Sequence, residues 1–400
     1  MSPLPMSSFV PSGAFSADGP APRRLTPPRG TRVLLGMLAL CSGAAAWAAP
    51  SAAVVGPAVP VAALAGSEPE DDEDDVVDTK AATEVGLAKM TGAKTLASRV
   101  CPRGPFGAPV PAGAVAAAVA GARPSDAFNA GLTADGNVEG PVFLGRSLVF
   151  SEFNFVANPP PSRIVSVTPG RAGVVVVADS GTNGHALGPR GEFLGASHKV
   201  GGIVRINLRT GQQSVVIDQF EGKRFNSPND LTVRSDGTIY FSDPDFQAPA
   251  PLPQLKTRVY RLAPGAKQAV VVDDARQQPN GVTLSPDEKT LYLAAADGIF
   301  KYAVAPDGST GKAQKFTNAV ASGDGMVVDC AGNLYVTQTD VVVLSPAGQE
   351  IARIPAPSAN ASVTNVAFGG RDRKTLFITA LGGSGRGLYQ VRLQVPGLPF

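Results

Sequence analysis

The chain has 400 residues, of which 45 are glycine and 36 are proline, about a fifth of the sequence together. Both residues are unfavourable in helix interiors, which excludes a protein built of long helices, and without a Gly-x-y period the chain is not collagen. The formal net charge is only +2, so no overall field favours nucleic acid or an anionic membrane. A turn-rich β protein, a partly disordered chain, or a combination of the two remains.

The N-terminal region predicts export. Four arginines within residues 1–32 precede an uncharged stretch at 33–49, which contains the small-x-small triplet Ala46-Trp47-Ala48. A basic flank, a short apolar segment and small residues at its end are typical of a secretory signal peptide. We therefore expect residues 1–48 to be a signal with an extended first region, and the protein to be periplasmic or secreted. Retention of 33–49 as a membrane anchor is the alternative.

Residues 49–125 have the composition of a disordered linker rich in Ala and Pro. Their acidic run, Glu68 to Asp78, lacks the glycine turns of a calcium loop and is expected to be solvated. Cys101 and Cys330 remain once the signal is removed. In an oxidising compartment they form either a disulfide that ties this N-terminal arm to the body or two isolated thiols, and both interpretations stay open.

From about residue 137, short apolar runs alternate with Gly, Asp and Pro turns, and one polar residue recurs in a similar frame. Each such anchor residue opens a strand, which a turn and a second strand follow. The six anchor residues are Glu139, Asn183, Asn229, Asn280, Asp324 and Asn365. Units of about 45 residues with four strands each predict an all-β fold, a six-bladed β-propeller over 126–400.

The propeller places the first strand of each blade along the central axis, so the six anchor residues should converge at one mouth of the channel. The last unit is one strand short, and we expect a segment within 100–130 to complete it. The loops at 151–161 and 242–256 should lie at the same mouth. The second loop is rich in proline, and its Phe246 is available to cover a substrate.

One Glu, one Asp and four Asn form an oxygen-rich, negatively charged set. Hard divalent cations prefer such carboxylate and amide oxygens. With only His185 and His198 and scattered cysteines, the sequence does not predict a zinc site of the usual kind. The alternative is that the Asn and Asp side chains only satisfy turns and strand starts. A buried Glu–Asp pair needs a countercharge, which favours the cation.

Four motifs resemble the family of gluconolactonases, regucalcin and luciferin-regenerating enzymes: VEGPVFLGRSLVFSE, EGKRFNSPNDLTVRSDGTIYFSDPDF, QPNGVTLSPDEKTLY and GDGMVVDCAGNLYV. The resemblance implies a six-bladed propeller that binds one catalytic divalent metal. The expected ion is Ca²⁺, and Zn²⁺, Mg²⁺ and Mn²⁺ are the alternatives. By motif, Glu139, Asn280 and Asp324 match direct metal ligands. Asn229 matches the residue beside the metal, its water and the substrate.

The resemblance implies a lactonase-type ester hydrolase that opens sugar or related lactones, in which the metal polarises the lactone carbonyl and Asp324 orients the attacking water.

 Substrate contacts are expected from Asn183, His198, Phe246 and Asn365. The substrate would be a small lactone or ester, and the protein a monomer. The rival hypotheses are a propeller that binds metal without catalysis, and an arylesterase or phosphotriesterase using the same metal.

Two positions depart from the family pattern. Animal members carry an Arg two residues before the Asn-Asp pair, where this chain has Ser227, and Phe143 stands where Trp is common. Neither change touches metal ligation, but both leave the substrate open. His185 follows an anchor residue and is expected to be less involved than His198, while Asp243 and Asp245 are expected to form turns.

Overall fold

The computed structural model describes residues 95–120, 137–153, 158–356, 361–381 and 387–398. The predicted signal, the possible anchor at 33–49 and the acidic run from Glu68 to Asp78 lie outside these residues. Within them, no helix is long and apolar enough to cross a membrane.

The described chain starts with a short helix and a short strand and continues through strands that form four-stranded antiparallel sheets. The first elements are α1 (Leu96–Val100) and β1 (Ala117–Ala118). Blade 1 contains β2 (Asn137–Leu144), β3 (Ser147–Phe153), β4 (Ser162–Val167) and β5 (Val174–Val177). Blade 2 contains β6 (Thr182–Leu187), β7 (Phe193–Ser197), β8 (Gly202–Ile206) and β9 (Gln213–Ile217).

A small hairpin separates blade 2 from blade 3; its strands are β10 (Gln219–Phe220) and β11 (Lys223–Arg224). Blade 3 contains β12 (Leu231–Val233), β13 (Ile239–Asp243), β14 (Arg258–Leu262) and β15 (Val270–Asp273). Blade 4 contains β16 (Val282–Leu284), β17 (Thr290–Ala295), β18 (Gly298–Ala303) and β19 (Gln314–Lys315). Blade 5 contains β20 (Met326–Val328), β21 (Leu334–Thr337), β22 (Val341–Leu344) and β23 (Glu350–Ile354). Blade 6 contains β24 (Ser362–Gly369), β25 (Thr375–Leu381) and β26 (Gly387–Arg392).

The first strands of the blades contact one another in sequence, β2 with β6, then β12, β16, β20 and β24, and β24 contacts β2 again. This closed circle of inner strands confirms the predicted six-bladed β-propeller. Antiparallel strands joined by tight turns explain the glycine content. In the turn after β12, for example, Gly237 adopts a φ of 92°, which a residue with a side chain rarely tolerates.

The core lies between neighbouring blades rather than at a single centre. Between blades 2 and 3, the buried side chains of Ile203, Phe225, Phe241 and Tyr260 pack together, and Phe225 meets Tyr260 edge-on with ring centroids 4.9 Å apart. The inner strands of the sheets are largely buried and read as apolar runs, whereas outer strands such as β5 and β9 are more exposed. Burial of the apolar area between blades supplies most of the stabilisation.

The N-terminal arm completes the last blade. Strand β1 pairs antiparallel with β26, aligning Ala117 with Gln390, so blade 6 also has four strands. A disulfide joins Cys101 to Cys330, with the Cα atoms 5.5 Å apart. Residues 95–120, all within the segment that composition assigns to a linker, therefore lie against the propeller.

Candidate functional site

The anchor residues stand at or just before the first strand of each blade, where the backbone fixes them to the second strand. The amide of Asn229 donates to the Ser242 carbonyl at 3.0 Å, and that of Asn280 donates to the Ala294 carbonyl at 2.8 Å. In blades 1, 2 and 6 the strand register shifts at the anchor position. Such a β-bulge redirects a side chain without ending the strand.

Backbone hydrogen bonds between neighbouring blades draw these positions together. The amide of Gly184 donates to the Asn229 carbonyl at 2.7 Å, and the amide of Gly281 donates to the Asp324 carbonyl at 3.2 Å. The circle closes between the last and first blades, where Asn365 Nδ2 donates to a Glu139 carboxylate oxygen at 3.2 Å. The structure thus brings the six predicted anchor positions around one end of the channel.

The carboxylates of Glu139 and Asp324 repel each other. Burial raises the pKa of Glu139 well above its ordinary value, and the negative charges of Asp324 and Asp230 raise it further. Burial and the charge of Asp230 raise the pKa of Asp324 to about 8, against a small opposing effect of the hydrogen bond with Asn280. Every charged group that acts on these two pKa values is itself acidic, so an added cation would be strongly favoured here.

Asp230 is a member of the site that sequence reasoning missed. It is buried, its carboxylate accepts from the amide of Leu231 at 2.8 Å, and burial raises its pKa to about 7. It follows the anchor Asn229, at the position where four of the other frames have glycine. This acid at a position where other frames have glycine was the sequence signal that could have identified Asp230 as part of the site.

The residues fit a divalent cation. Asn183 is 2% exposed, and its buried side-chain oxygen Oδ1 has no hydrogen-bond partner among the described residues. No three His, Cys, Asp or Glu side chains group together as a metal site within the described part of the chain. The donor set would therefore combine two carboxylates with amide oxygens, which is the mixture that hard cations accept.

Asn365 is engaged within the protein. Besides its bond to Glu139, its Oδ1 accepts from the amide of Val366 at 2.8 Å. Both ends of the amide are thus used, and the side chain orients the Glu139 carboxylate. This arrangement gives less support to the substrate contact predicted for Asn365 than to a positioning role.

Neither histidine is open to solvent. His185 donates from Nδ1 to the Gly140 carbonyl at 2.8 Å, and its Nε2 lies 3.0 Å from the Thr182 hydroxyl. His198 is 0% exposed and donates from Nε2 to the Pro160 carbonyl at 3.0 Å. Burial lowers the pKa of each histidine to about 4. The predicted contact of His198 with substrate therefore lacks support in this structure, and His185 holds the strand that carries Glu139.

Asp243 ends β13, at the start of the loop between β13 and β14, and its carboxylate accepts from the backbone amides of Asn226 and Ser227 at 3.0 and 2.8 Å. This contact joins the end of β13 to the segment before β12, so the carboxylate of Asp243 does not form a local turn. Phe246, in the same loop, is 44% exposed. Phe143 instead packs inside the propeller, with its ring stacked on Phe377 at a centroid distance of 5.2 Å.

Comparison with known proteins agrees with this architecture. A gluconolactonase of Zymomonas mobilis is 29% identical over 278 residues, which cover 60% of this chain and 75% of that protein. The structure of a gluconolactonase from Xanthomonas campestris superposes with a TM-score of 0.57 at 30% identity, covering 73% of this chain and 100% of the other. A regucalcin from Agrobacterium tumefaciens shares the fold, with a TM-score of 0.55, 20% identity, and coverage of 65% of this chain and 91% of that one.

The family described as the SMP-30/Gluconolactonase/LRE-like region matches residues 139–382, from the first anchor residue to one position past β25. This range is more than half of the chain and includes all six anchor residues. The chain belongs to the SMP-30/gluconolactonase/LRE-like family.

Proposed function

We propose that the protein is a lactone hydrolase that uses one divalent cation, with Ca²⁺ as the ion best suited to the donor set. Glu139, Asn229, Asn280 and Asp324 would hold the ion. The observation that carries this proposal is the pair Glu139 and Asp324. The Glu139 carboxylate is buried and that of Asp324 is partly buried, and the charged neighbours of both are acidic. The gluconolactonase relatives support the choice of a lactone as substrate.

The cation, when bound, supplies a Lewis acid for the lactone carbonyl. The other tasks fall to side chains of this chain. Asp324 is partly accessible and is held by Asn280, so its carboxylate can accept a hydrogen bond from the attacking water and orient it. Asn183 Oδ1, which has no partner among the described residues, can accept a hydrogen bond from a hydroxyl of the substrate. Asn365 keeps Glu139 in place.

The proposal is tested by acid release from a panel of aldonolactones, aliphatic lactones, aryl esters and phosphotriesters, before and after treatment with a chelator. We expect hydrolysis of lactones that the chelator abolishes and Ca²⁺ restores. Metal-dependent thermal stability without any hydrolysis would instead identify a binding module. Hydrolysis restricted to aryl esters or phosphotriesters would assign the site to that chemistry.

We also infer that the protein is exported through its N-terminal segment. The Cys101–Cys330 disulfide supports this inference, because structural disulfides persist in oxidising compartments. Mass spectrometry of the mature protein should show an N-terminus at Ala49, after the Ala46-Trp47-Ala48 triplet. An intact segment 33–49 in a membrane fraction would show instead that the signal is retained as an anchor.

A further inference from the structure

The loop 244–257 between β13 and β14 has an inverted distribution of polarity. Its glutamines are buried, with Gln247 at 5% and Gln254 at 4% exposure, whereas Phe246 is 44%, Leu252 42% and Leu255 86% exposed. Buried polar side chains and exposed large apolar ones are the informative exceptions to ordinary burial. An exposed apolar group beside a candidate active site indicates a contact with an apolar ligand.

The buried polar groups fix this loop to the blades. Gln254 Nε2 lies within hydrogen-bond distance of three carbonyl oxygens, at 3.1 to 3.2 Å, which belong to Phe220, Lys223 and Arg224. At the other end of the loop, the Ser227 hydroxyl donates to the Pro244 carbonyl at 2.8 Å. With these bonds in place, the apolar side chains keep their exposed positions.

Phe246 lies at the inner part of the loop because both of its neighbours are tied close to the anchor residues. Asp245 Oδ1 accepts from Gln278 Nε2 at 2.6 Å, and the amide of Gln247 donates to the Ser227 hydroxyl at 3.2 Å. Gln278 and Ser227 each stand two positions before an anchor residue. The bonds of Gln254 place Leu255 further out, beside the hairpin of β10 and β11.

We propose that Phe246 is a specificity-determining residue that contacts an apolar substituent on the lactone ring. The inference rests on the proposed lactone hydrolysis and names a substrate class for it, lactones that carry an alkyl substituent on the ring. The Phe246 ring offers apolar surface but no hydrogen-bonding group. Its contact with an alkyl group would therefore strengthen binding, whereas a hydroxyl at the same place would find no hydrogen-bond partner on the ring.

The test compares δ-decalactone with glucono-δ-lactone on the full-length protein. We expect Phe246→Ala to raise KM for δ-decalactone about tenfold, as for the loss of one or two buried methylene contacts, with kcat nearly unchanged. KM for glucono-δ-lactone should stay within about twofold, since its hydroxyls gain nothing from the ring. Phe246→Leu should keep most of the affinity for δ-decalactone.

Leu255→Ala is the matched control, because it removes a more exposed apolar side chain from the outer part of the same loop. It should leave both KM values unchanged. Equal effects of Phe246→Ala on both lactones, or no effect on either, would overturn the specificity role while leaving the proposed hydrolysis intact. Absence of hydrolysis of either lactone by the unaltered protein would overturn the proposed function and this inference with it.

Discussion

Glu139 and Asp324 are held together against their mutual repulsion by the folded backbone and by two amide side chains. Asn365 donates to Glu139, and Asn280 bonds to Asp324. These neutral partners orient the carboxylates without neutralising them. A bound cation would remove this repulsion, and the removal would make cation binding more favourable.

Asp324→Asn should separate catalysis from folding. The amide has nearly the same shape but no charge, so we expect hydrolysis to fall by about 100-fold or more, while the metal-free variant unfolds at the same or a higher temperature. Steady-state rates and thermal melts measure the two effects. Asp287→Asn, an exposed carboxylate in the turn between β16 and β17, is the control, and unchanged turnover in Asp324→Asn would remove that residue from the mechanism.

The stability of the metal-free protein should fall with rising pH. The pKa of Asp324 rises from 3.8 to about 8 on folding, so between these values the folded state binds more protons than the unfolded chain. Stability from this group is therefore greatest at low pH within the window and is lost as pH approaches about 8. A bound cation replaces the proton, so stabilisation by Ca²⁺ should grow over the same window.

Thermal melts at about pH 5 and about pH 8, each with chelator and with Ca²⁺, measure this linkage. Asp324→Asn should reduce the pH dependence of the metal-free protein. The same melts on Asp287→Asn serve as the control. If the metal-free protein became more stable as the pH rises between those two values, the assigned charge repulsion would be contradicted.

The six anchor residues could be predicted from the sequence because a repeated frame marks them. Asp230 was missed because its neighbour Asn229 already filled the anchor position of that blade. The burial of His198 could not be predicted, because it depends on the Pro160 carbonyl, 38 positions away in the chain. A loop histidine carries no local pattern that reports such a contact.

The inner strands approach closely because glycine follows most anchor residues. A Cβ added to Gly281 would lie 2.3 Å from the Asp324 carbonyl oxygen, and one on Gly325 would lie 2.1 Å from Asn365 Cγ. A side chain at position 281 would therefore push the neighbouring strand away, and one at position 325 would displace the Asn365 side chain. Positions of carboxylates and amides around the channel depend on this spacing.

Gly281→Ala should destabilise the protein by about 1–3 kcal/mol, as overpacking does, and should also weaken hydrolysis by displacing Asp324. Denaturant unfolding and turnover at a temperature where the variant is folded measure both effects. Gly107→Ala is the control, since an added Cβ there has no heavy atom within 4 Å. Wild-type stability of Gly281→Ala would show that the inner strands have more room than the structure gives them.

Strands were the part of the fold most accessible from sequence, since alternation and turn residues mark runs such as TIYFSD, which contains β13. The hairpin of β10 and β11 was not predicted, because each strand has only two residues. Strand β1 is equally short, and its place followed only from the missing fourth strand of the last unit. Short pairings leave no periodicity to detect.

The propeller closes through contacts between distant parts of the chain. The Cys101–Cys330 disulfide spans 229 positions, and the amide of Gln394 donates to the Pro109 carbonyl at 2.9 Å. Together with β1, these contacts hold the N-terminal arm against blades 5 and 6. A ring whose last blade takes a strand from the arm resists opening at that point.

Replacing both Cys101 and Cys330 by Ser should lower the free energy of unfolding by about 3–5 kcal/mol, because the long loop gains entropy in the unfolded chain. The channel mouth does not contain these residues, so turnover of the folded variant should stay near normal. Denaturant unfolding with and without reductant measures the effect. The double variant has no Cys101–Cys330 disulfide to reduce, so its stability should be the same in both conditions, which controls for other effects of the reductant. An unfolding free energy equal to that of the unaltered protein would show that the disulfide does not stabilise the fold.

Metal stoichiometry measured together with lactone hydrolysis on the same samples tests the proposed function most directly. Protein stripped by chelator is titrated with Ca²⁺, and bound metal and acid release from a lactone are followed at each step. We expect activity to rise in proportion to bound metal up to about one equivalent per chain, and Glu139→Gln to lose both binding and activity. Full hydrolysis by the stripped protein, or a metal-saturated protein that hydrolyses no lactone, would contradict the proposal.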